Sequence, residues 1–74
     1  MTIRRLTAVI EREGEWYVSF CPELDIASQG RTVEEARQGL AEALELFFEE
    51  ASPEEITSRS AGEVYVTTVD VAVA

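Results

Sequence analysis

The chain has 74 residues and a net charge of −9, and its cations are all arginine because it contains neither lysine nor histidine. This length predicts one small domain, residues 1–74, with a marginal core. The sequence holds no apolar run of the roughly 20 residues that a membrane span requires, no signal-peptide pattern and only one cysteine. These features predict a cytoplasmic protein without disulfides.

The acidic composition argues against direct binding of nucleic acid. Fifteen carboxylates oppose six arginines, so the surface repels phosphate backbones. Two interpretations of the charge remain open. It complements a basic protein partner, or it only keeps a small protein soluble.

The first thirty residues carry the pattern of three strands, which are rich in β-branched, aromatic and apolar side chains. The predicted strands cover residues 3–11, 16–21 and 26–29. Pro22 ends the second strand because proline cannot donate to a β-ladder, and Gly30 closes the third.

The first two strands are expected to form a hairpin. A two-residue turn at Glu13 and Gly14 places Val9 opposite Val18, and both faces of the sheet then carry apolar or aromatic side chains. A sheet with one solvated face should show a polar side. The face that the helix leaves open is therefore expected to meet another subunit or to be covered by the loop 52–62.

The main helix begins at a capping box formed by Thr32 and Glu35 and runs to about residue 50 along one apolar stripe. Its outer face is acidic, with the like charges Glu42, Glu45 and Glu49 at three- and four-residue spacings that cost stability. An acidic docking ridge and an ordinary solvated face both explain this pattern.

Two other helix positions bear on assembly. Leu46 lies off the apolar stripe, on the flank that it shares with Gly39. A glycine in a helix interior costs about 1 kcal/mol relative to alanine. Gly39 either permits the close approach of another backbone or is a tolerated surface glycine.

The last third of the chain is predicted to return to the sheet. Residues 52–55 start a short helical turn, residues 57–62 form a polar loop, and residues 63–73 alternate as a Val- and Thr-rich strand. The fold class is therefore α+β, a two-layer β-β-β-α-β domain with a mostly antiparallel sheet and one main helix on one face. The side chains predicted to contact a second subunit are Leu46, Tyr65, Val69 and Val71.

The sequence predicts no enzyme, no cofactor and no metal site. Without histidine there is no Ser–His or Cys–His nucleophile and no imidazole ligand. The glycines are isolated, so no phosphate-binding loop is formed. A two-metal nuclease is disfavoured because the first strand holds no carboxylate before Glu11 and Asp70 has no evident partner.

The stretch CPELDIASQGRTVEEA at residues 21–36 and the stretch LAEALELFFE at residues 40–49 resemble the HicB-like antitoxin family of type II toxin–antitoxin systems. The resemblance extends over residues 6–73. It implies a reduced ribonuclease-H-like fold with sheet order 3-2-1-4. It also implies a short stand-alone domain, without the DNA-binding module of fuller members.

The resemblance implies a protein-binding module that neutralises a small basic HicA-like ribonuclease toxin by direct binding. The alternative is a stand-alone structural or regulatory oligomer without a toxin, and a metal-dependent nuclease is a distant third. The expected partners are the toxin and further copies of the chain, as a homodimer or tetramer, with neither nucleic acid nor membrane. The candidate partner-binding residues are Glu42, Glu45 and Glu49 on the helix and Glu23, Asp25 and Gln29 around the proline turn.

Overall fold

The computed structural model describes residues 3–74. The elements follow in the order β1 (Val9–Glu13), β2 (Trp16–Cys21), β3 (Ile26–Gly30), α1 (Val33–Glu50) and α2 (Pro53–Arg59). The three strands form one antiparallel sheet in the order β1-β2-β3, and α1 packs on one of its faces. The predicted α+β class and the β-β-β-α order are confirmed.

The hairpin between β1 and β2 turns one residue later than the sequence predicted. Gly14 and Glu15 occupy the turn, so Arg12 pairs with Tyr17 rather than with Glu15. Gly14 has a φ of 61°, and a type II′ turn requires glycine in the first of its two positions. The register is thereby displaced by two residues, which leaves each side chain on its predicted face of the sheet.

The first strand is shorter at its start than predicted. It begins at Val9, and residues 3–8 have no strand pairing, although Leu6 packs against the core. This segment is held instead by the side chain of Glu23, which accepts hydrogen bonds from Thr7. A side chain therefore replaces the β-ladder at this end of the sheet.

Small residues bring α1 close to the sheet. Ser19 is fully buried and its hydroxyl donates a hydrogen bond of 2.8 Å to the carbonyl of Ala36. A Cβ atom placed on Gly30 would lie 2.6 Å from the backbone nitrogen of Ala36, and one on Gly39 would lie 2.6 Å from Oγ of Ser28. Gly39 therefore permits a close approach, and the element that approaches is the chain's own strand β3.

Larger side chains fill the other end of the layer between helix and sheet. Cys21, Leu24 and Leu40 are buried together. The partly buried side chains that pack against them are Leu6, Ile26, Leu44, Phe47 and Phe48. Burial raises the pKa of the Cys21 thiol, so this cysteine packs as a small apolar side chain.

Both helix starts have side-chain caps. Oγ1 of Thr32 accepts from the backbone N–H of Glu35 at 3.0 Å, and Oγ of Ser52 accepts from that of Glu55 at 3.1 Å. The second helix is longer than the predicted turn, because it continues to Arg59 into what was expected to be polar loop.

Arg59 docks α2 against the rest of the domain. Its guanidinium donates to the carbonyl of Leu24 and lies 5.2 Å from the ring centroid of Phe47. These contacts hold α2 beside the end of α1. The face of the sheet opposite α1 is therefore left uncovered, and its side chains Trp16 and Phe20 are more than one third exposed. The expectation that the loop 52–62 covers this face is therefore wrong.

The predicted last strand does not join the sheet. Residues 61–74 are all exposed and unpaired, and no backbone hydrogen bond joins residues 62–74 to β1, β2 or β3. The radius of gyration is 14.6 Å, against about 11 Å for a compact domain of this length. Of the residues that the structure describes, none belongs to a helix long and apolar enough to cross a membrane.

Candidate protein-interaction surfaces

The outer side of α1 carries an acidic ridge, formed by Glu42, Glu45 and Glu49. All three side chains are exposed, and at 100° per residue they lie within about 60° of arc on the helix. The two ion pairs found among residues 3–74 join other carboxylates, Glu34 and Glu15, to arginines. Within the part of the chain that the structure describes, none of the three ridge carboxylates therefore belongs to an ion pair.

The second set of predicted partner-binding residues is not brought together. Glu23 is half-buried and turned toward Thr7, whereas Asp25 is exposed at the turn with a φ of 57° and its N–H donates to the carbonyl of Cys21 at 2.9 Å. Gln29 is exposed on β3, where it pairs with Val18. These three residues therefore do not form one site.

Glu23 has a structural role that the sequence did not reveal. Its carboxylate accepts from the Thr7 hydroxyl at 2.6 Å, from the Thr7 N–H at 3.1 Å and from the Cys21 thiol at 3.4 Å. Burial raises the pKa of this carboxyl, but the hydrogen bonds from Thr7 and Cys21 outweigh burial, so the pKa lies below its ordinary value. Glu23 ties the segment 3–8 to the turn after β2.

The face of the sheet that α1 leaves uncovered carries an apolar group of side chains. On this open sheet face lie Val9, Trp16, Val18 and Phe20, of which all but Val18 are exposed by 38–39%. Three polar side chains lie on the same face by register, Glu11, Glu13 and Gln29. Arg31 covers part of it, with its guanidinium carbon 4.3 Å from the Trp16 ring centroid. The prediction of a sheet with apolar side chains on both faces is confirmed by this arrangement.

An open groove runs between the segment 3–8 and α1. This edge groove has a volume of about 950 Å³. Leu6, Leu44 and Phe48 contribute apolar surface to it, whereas Arg4, Arg5 and Arg37 bring three of the chain's six arginines to it. The acidic ridge borders the same groove, because Glu45 and Glu49 also line it. No local pattern in the sequence predicts the groove, because its two walls, within residues 3–8 and 37–49, are far apart in the chain.

The C-terminal segment, residues 63–73, is the most exposed apolar part of the molecule. Tyr65, Val69 and Val71 are exposed by 81%, 80% and 72%, and Leu46 on α1 by 51%. The predicted oligomer contacts are therefore all available at the surface. Exposed apolar side chains on an unpaired stretch of backbone are the usual substrate for strand addition.

The structure thus presents four extended surfaces: the acidic ridge, the open sheet face, the edge groove and the C-terminal segment. Within residues 3–74, no group of three or more His, Cys, Asp or Glu side chains is placed to hold a metal ion. The chain matches no protein-family model, no curated protein and no solved structure.

Proposed function

We propose that the chain is a HicB-like, antitoxin-type protein-binding module, which acts in the cytoplasm as a homo-oligomer and neutralises a small basic HicA-like ribonuclease toxin by direct binding. The observation that carries the proposal is the acidic ridge of Glu42, Glu45 and Glu49. It is exposed, it takes part in neither of the ion pairs found among residues 3–74, and it lies on a single helix of 18 residues. The sequence resemblance over residues 6–73 supplies the identity of the partner.

The ridge suits the capture of a basic protein for an electrostatic reason. Like charges three and four positions apart destabilise a helix by a few tenths of a kcal/mol per pair, roughly. A complementary basic surface removes this repulsion and steers the encounter, so that association is faster than for neutral surfaces and slows as salt is added.

The second candidate function is a structural or regulatory oligomer without a toxin. The open sheet face and the C-terminal segment favour it, since both expose apolar side chains that a second copy of the chain would cover. The genomic neighbourhood separates the two functions. An adjacent reading frame for a basic protein of similar length with one histidine favours the antitoxin, and its absence favours the oligomer without a toxin.

The binding test uses the basic protein encoded in that adjacent frame. The triple variant Glu42→Lys, Glu45→Lys and Glu49→Lys is expected to lower the association rate constant at least about tenfold at low salt, because the steering charge is reversed. Stopped-flow fluorescence measures the rate across a salt series, and circular dichroism verifies that the variant remains folded.

A matched control variant separates local from net charge. Glu13→Lys, Glu54→Lys and Glu55→Lys make the same change in net charge at exposed positions outside both α1 and the C-terminal segment. The control is expected to slow association much less than the ridge variant does. If both variants slow association equally, the effect of the ridge comes from the net charge of the chain and not from the position of the three carboxylates. Unchanged rates for both would remove the electrostatic basis of the proposal.

A further inference from the structure

We propose that the C-terminal segment of each copy lies in the edge groove of a second copy, beside β1, so that two chains exchange their last strands in a two-fold homodimer. Such a dimer rests on the homo-oligomer part of the proposed function and is independent of its toxin part. The occupant of the groove is therefore a second copy of this chain.

The C-terminal segment has the amino-acid composition of a β-strand but no strand partner among the described residues. Val, Thr and Tyr make up most of residues 64–73, and these residues favour a pleated, half-buried surface. In an extended chain the side chains of Tyr65, Val69, Val71 and Val73 share one side. That side is the more apolar of the two, and all four residues are exposed in the structure.

The edge groove is the place that such a strand would fill. The sheet order β1-β2-β3 leaves the outer edge of β1 without a neighbour, so its N–H and C=O groups on that side are free to pair with another strand. The groove lies beside the segment 3–8, which leads into β1, and it is lined on the helix side by Leu44 and Phe48. The groove is lined by residues 3–8 and by α1, not by β1 itself. A strand that pairs with the edge of β1 and continues along the segment 3–8 would cover these apolar side chains.

The charges of the segment and the groove are complementary. The segment contains Glu63 and Asp70 and no cation. The groove is lined by Arg4 and Arg5 on the side of the segment 3–8 and by Glu45 and Glu49 on the helix side, where Arg37 pairs with Glu34 at 2.9 Å. Complementary charges bring a segment to its site and fix its position there. The arginine side of the groove therefore favours a mainly apolar strand with a few carboxylates, which the same chain supplies.

The geometry of the chain favours exchange over return of the segment to its own groove. The molecule extends over 50 × 28 × 19 Å, and eleven residues of strand span about 36 Å, so the segment accounts for the elongation. Each copy carries one donor strand and one acceptor groove. Reciprocal exchange satisfies both at once and closes the assembly as a dimer.

The first test uses the unaltered chain. A sample is mixed from one population labelled with ¹³C and ¹⁵N and one unlabelled, then unfolded and refolded together, and isotope-filtered NMR detects contacts between copies only. Contacts between the methyl groups of Val69 or Val71 in one copy and Phe48 or Leu44 in the other are expected, together with a light-scattering mass of two chains.

Three outcomes would overturn strand exchange. A mass of one chain at micromolar concentration would exclude the dimer. Contacts of the segment with the groove only within one copy would show that the strand returns to its own chain. A dimer whose contacts between copies lie on the open sheet face would keep the homo-oligomer and remove the exchange.

A pair of variants tests the side of the strand that enters the groove. Val69→Asp with Val71→Asp is expected to raise the dimer dissociation constant at least about 100-fold, because two charges would be buried among apolar side chains. Thr68→Asp with Ala72→Asp adds the same charge to the other side of the strand and is expected to raise it less than about tenfold. Equal effects of the two variants would contradict the predicted orientation. Sedimentation equilibrium measures both constants.

Discussion

At the scale of single residues, Glu23 illustrates how one carboxylate shapes a surface. It holds Thr7 through both the backbone N–H and the hydroxyl, and so it fixes the segment 3–8 that forms one wall of the edge groove. The same side chain reaches the thiol of buried Cys21 at 3.4 Å. A residue predicted to contact a partner therefore also positions the backbone beside a candidate interface.

Glu23→Gln is expected to lower the free energy of unfolding by about 1–2 kcal/mol near neutral pH, because hydrogen bonds to a charged acceptor are lost. The pKa of the Glu23 carboxyl is lowered in the folded chain. The stability that it contributes is therefore fully present above the unfolded-state pKa and is lost as the pH falls through the folded-state pKa. Urea unfolding of both proteins over a pH series measures this, with Glu11→Gln as the exposed control.

The difference between wild type and the Glu23→Gln variant should shrink as the pH is lowered toward about 3, below the ordinary range of glutamate. A difference that stays constant over the whole series would show that the carboxylate charge contributes nothing. The Glu11→Gln control, at an exposed position on β1, should leave the unfolding free energy nearly unchanged at every pH.

At the scale of elements, the sequence predicted what depends on neighbours along the chain. The helix start at Thr32, the apolar stripe of α1 and the bounds of β2 are all local patterns, and the structure bears them out. Only half of the predicted capping box forms, since the Glu35 side chain accepts from the backbone N–H of Arg31 at 3.2 Å and not from that of Thr32. The hairpin register was predicted wrongly because glycine fits either turn position, and the choice depends on the twist of the paired strands.

Other features depend on contacts between distant residues and leave no local signal. Arg59 reaches the carbonyl of Leu24 across 35 positions, and this contact accompanies a helical turn where loop was predicted. The alternation in residues 63–73 indicates a strand, but a period of two says nothing about which strand will pair with it. Among the predicted site residues, the acidic ridge was recognisable from its helical spacing, whereas the orientation of Glu23 toward Thr7 was not.

The two glycines at the interface of helix and sheet should respond differently to alanine. Gly30→Ala is expected to cost about 1–3 kcal/mol, because the new Cβ meets the backbone of Ala36 at 2.6 Å. At Gly39 the new Cβ meets only the hydroxyl of Ser28. In a Ser28→Ala background, Gly39→Ala is therefore expected to raise the unfolding free energy by about 1 kcal/mol through helix propensity.

Urea unfolding of the four chains, wild type, Gly30→Ala, Ser28→Ala and the double variant of residues 28 and 39, measures these changes. The Ser28→Ala chain is the reference for the double variant. A destabilised double variant would mean that the helix cannot accept a methyl group at this position. An unaffected Gly30→Ala chain would mean that the start of α1 moves freely away from β3.

At the scale of the whole molecule, net charge limits what the chain can bind. A charge of −9 on 74 residues doubles in a homodimer, and three of the six arginines are gathered at the edge groove. An exchanged strand would cover that groove. The surface left to solvent then keeps a negative net charge, which favours basic proteins over nucleic acids as partners.

The chain is accordingly expected not to bind duplex DNA on its own. A gel shift with a duplex from upstream of its own reading frame, at about 0.15 M salt, should show no retarded band at micromolar protein. A saturable band that weakens as salt is added would contradict this expectation, since such salt dependence reports neutralised phosphates. A basic DNA-binding protein on the same gel serves as the positive control, because its retarded band shows that the duplex can be bound.

The exposed C-terminal segment also makes the isolated chain prone to aggregation. Between Glu63 and Asp70 lie the six residues VYVTTV, which have high β-propensity, no charge, no proline and no glycine. Segments of this kind stack into cross-β fibrils when left uncovered. The two flanking carboxylates act as gatekeepers against such stacking. A groove that binds the segment would cover these six residues. Assembly would then protect the chain from aggregation as well as add a fourth strand to its sheet.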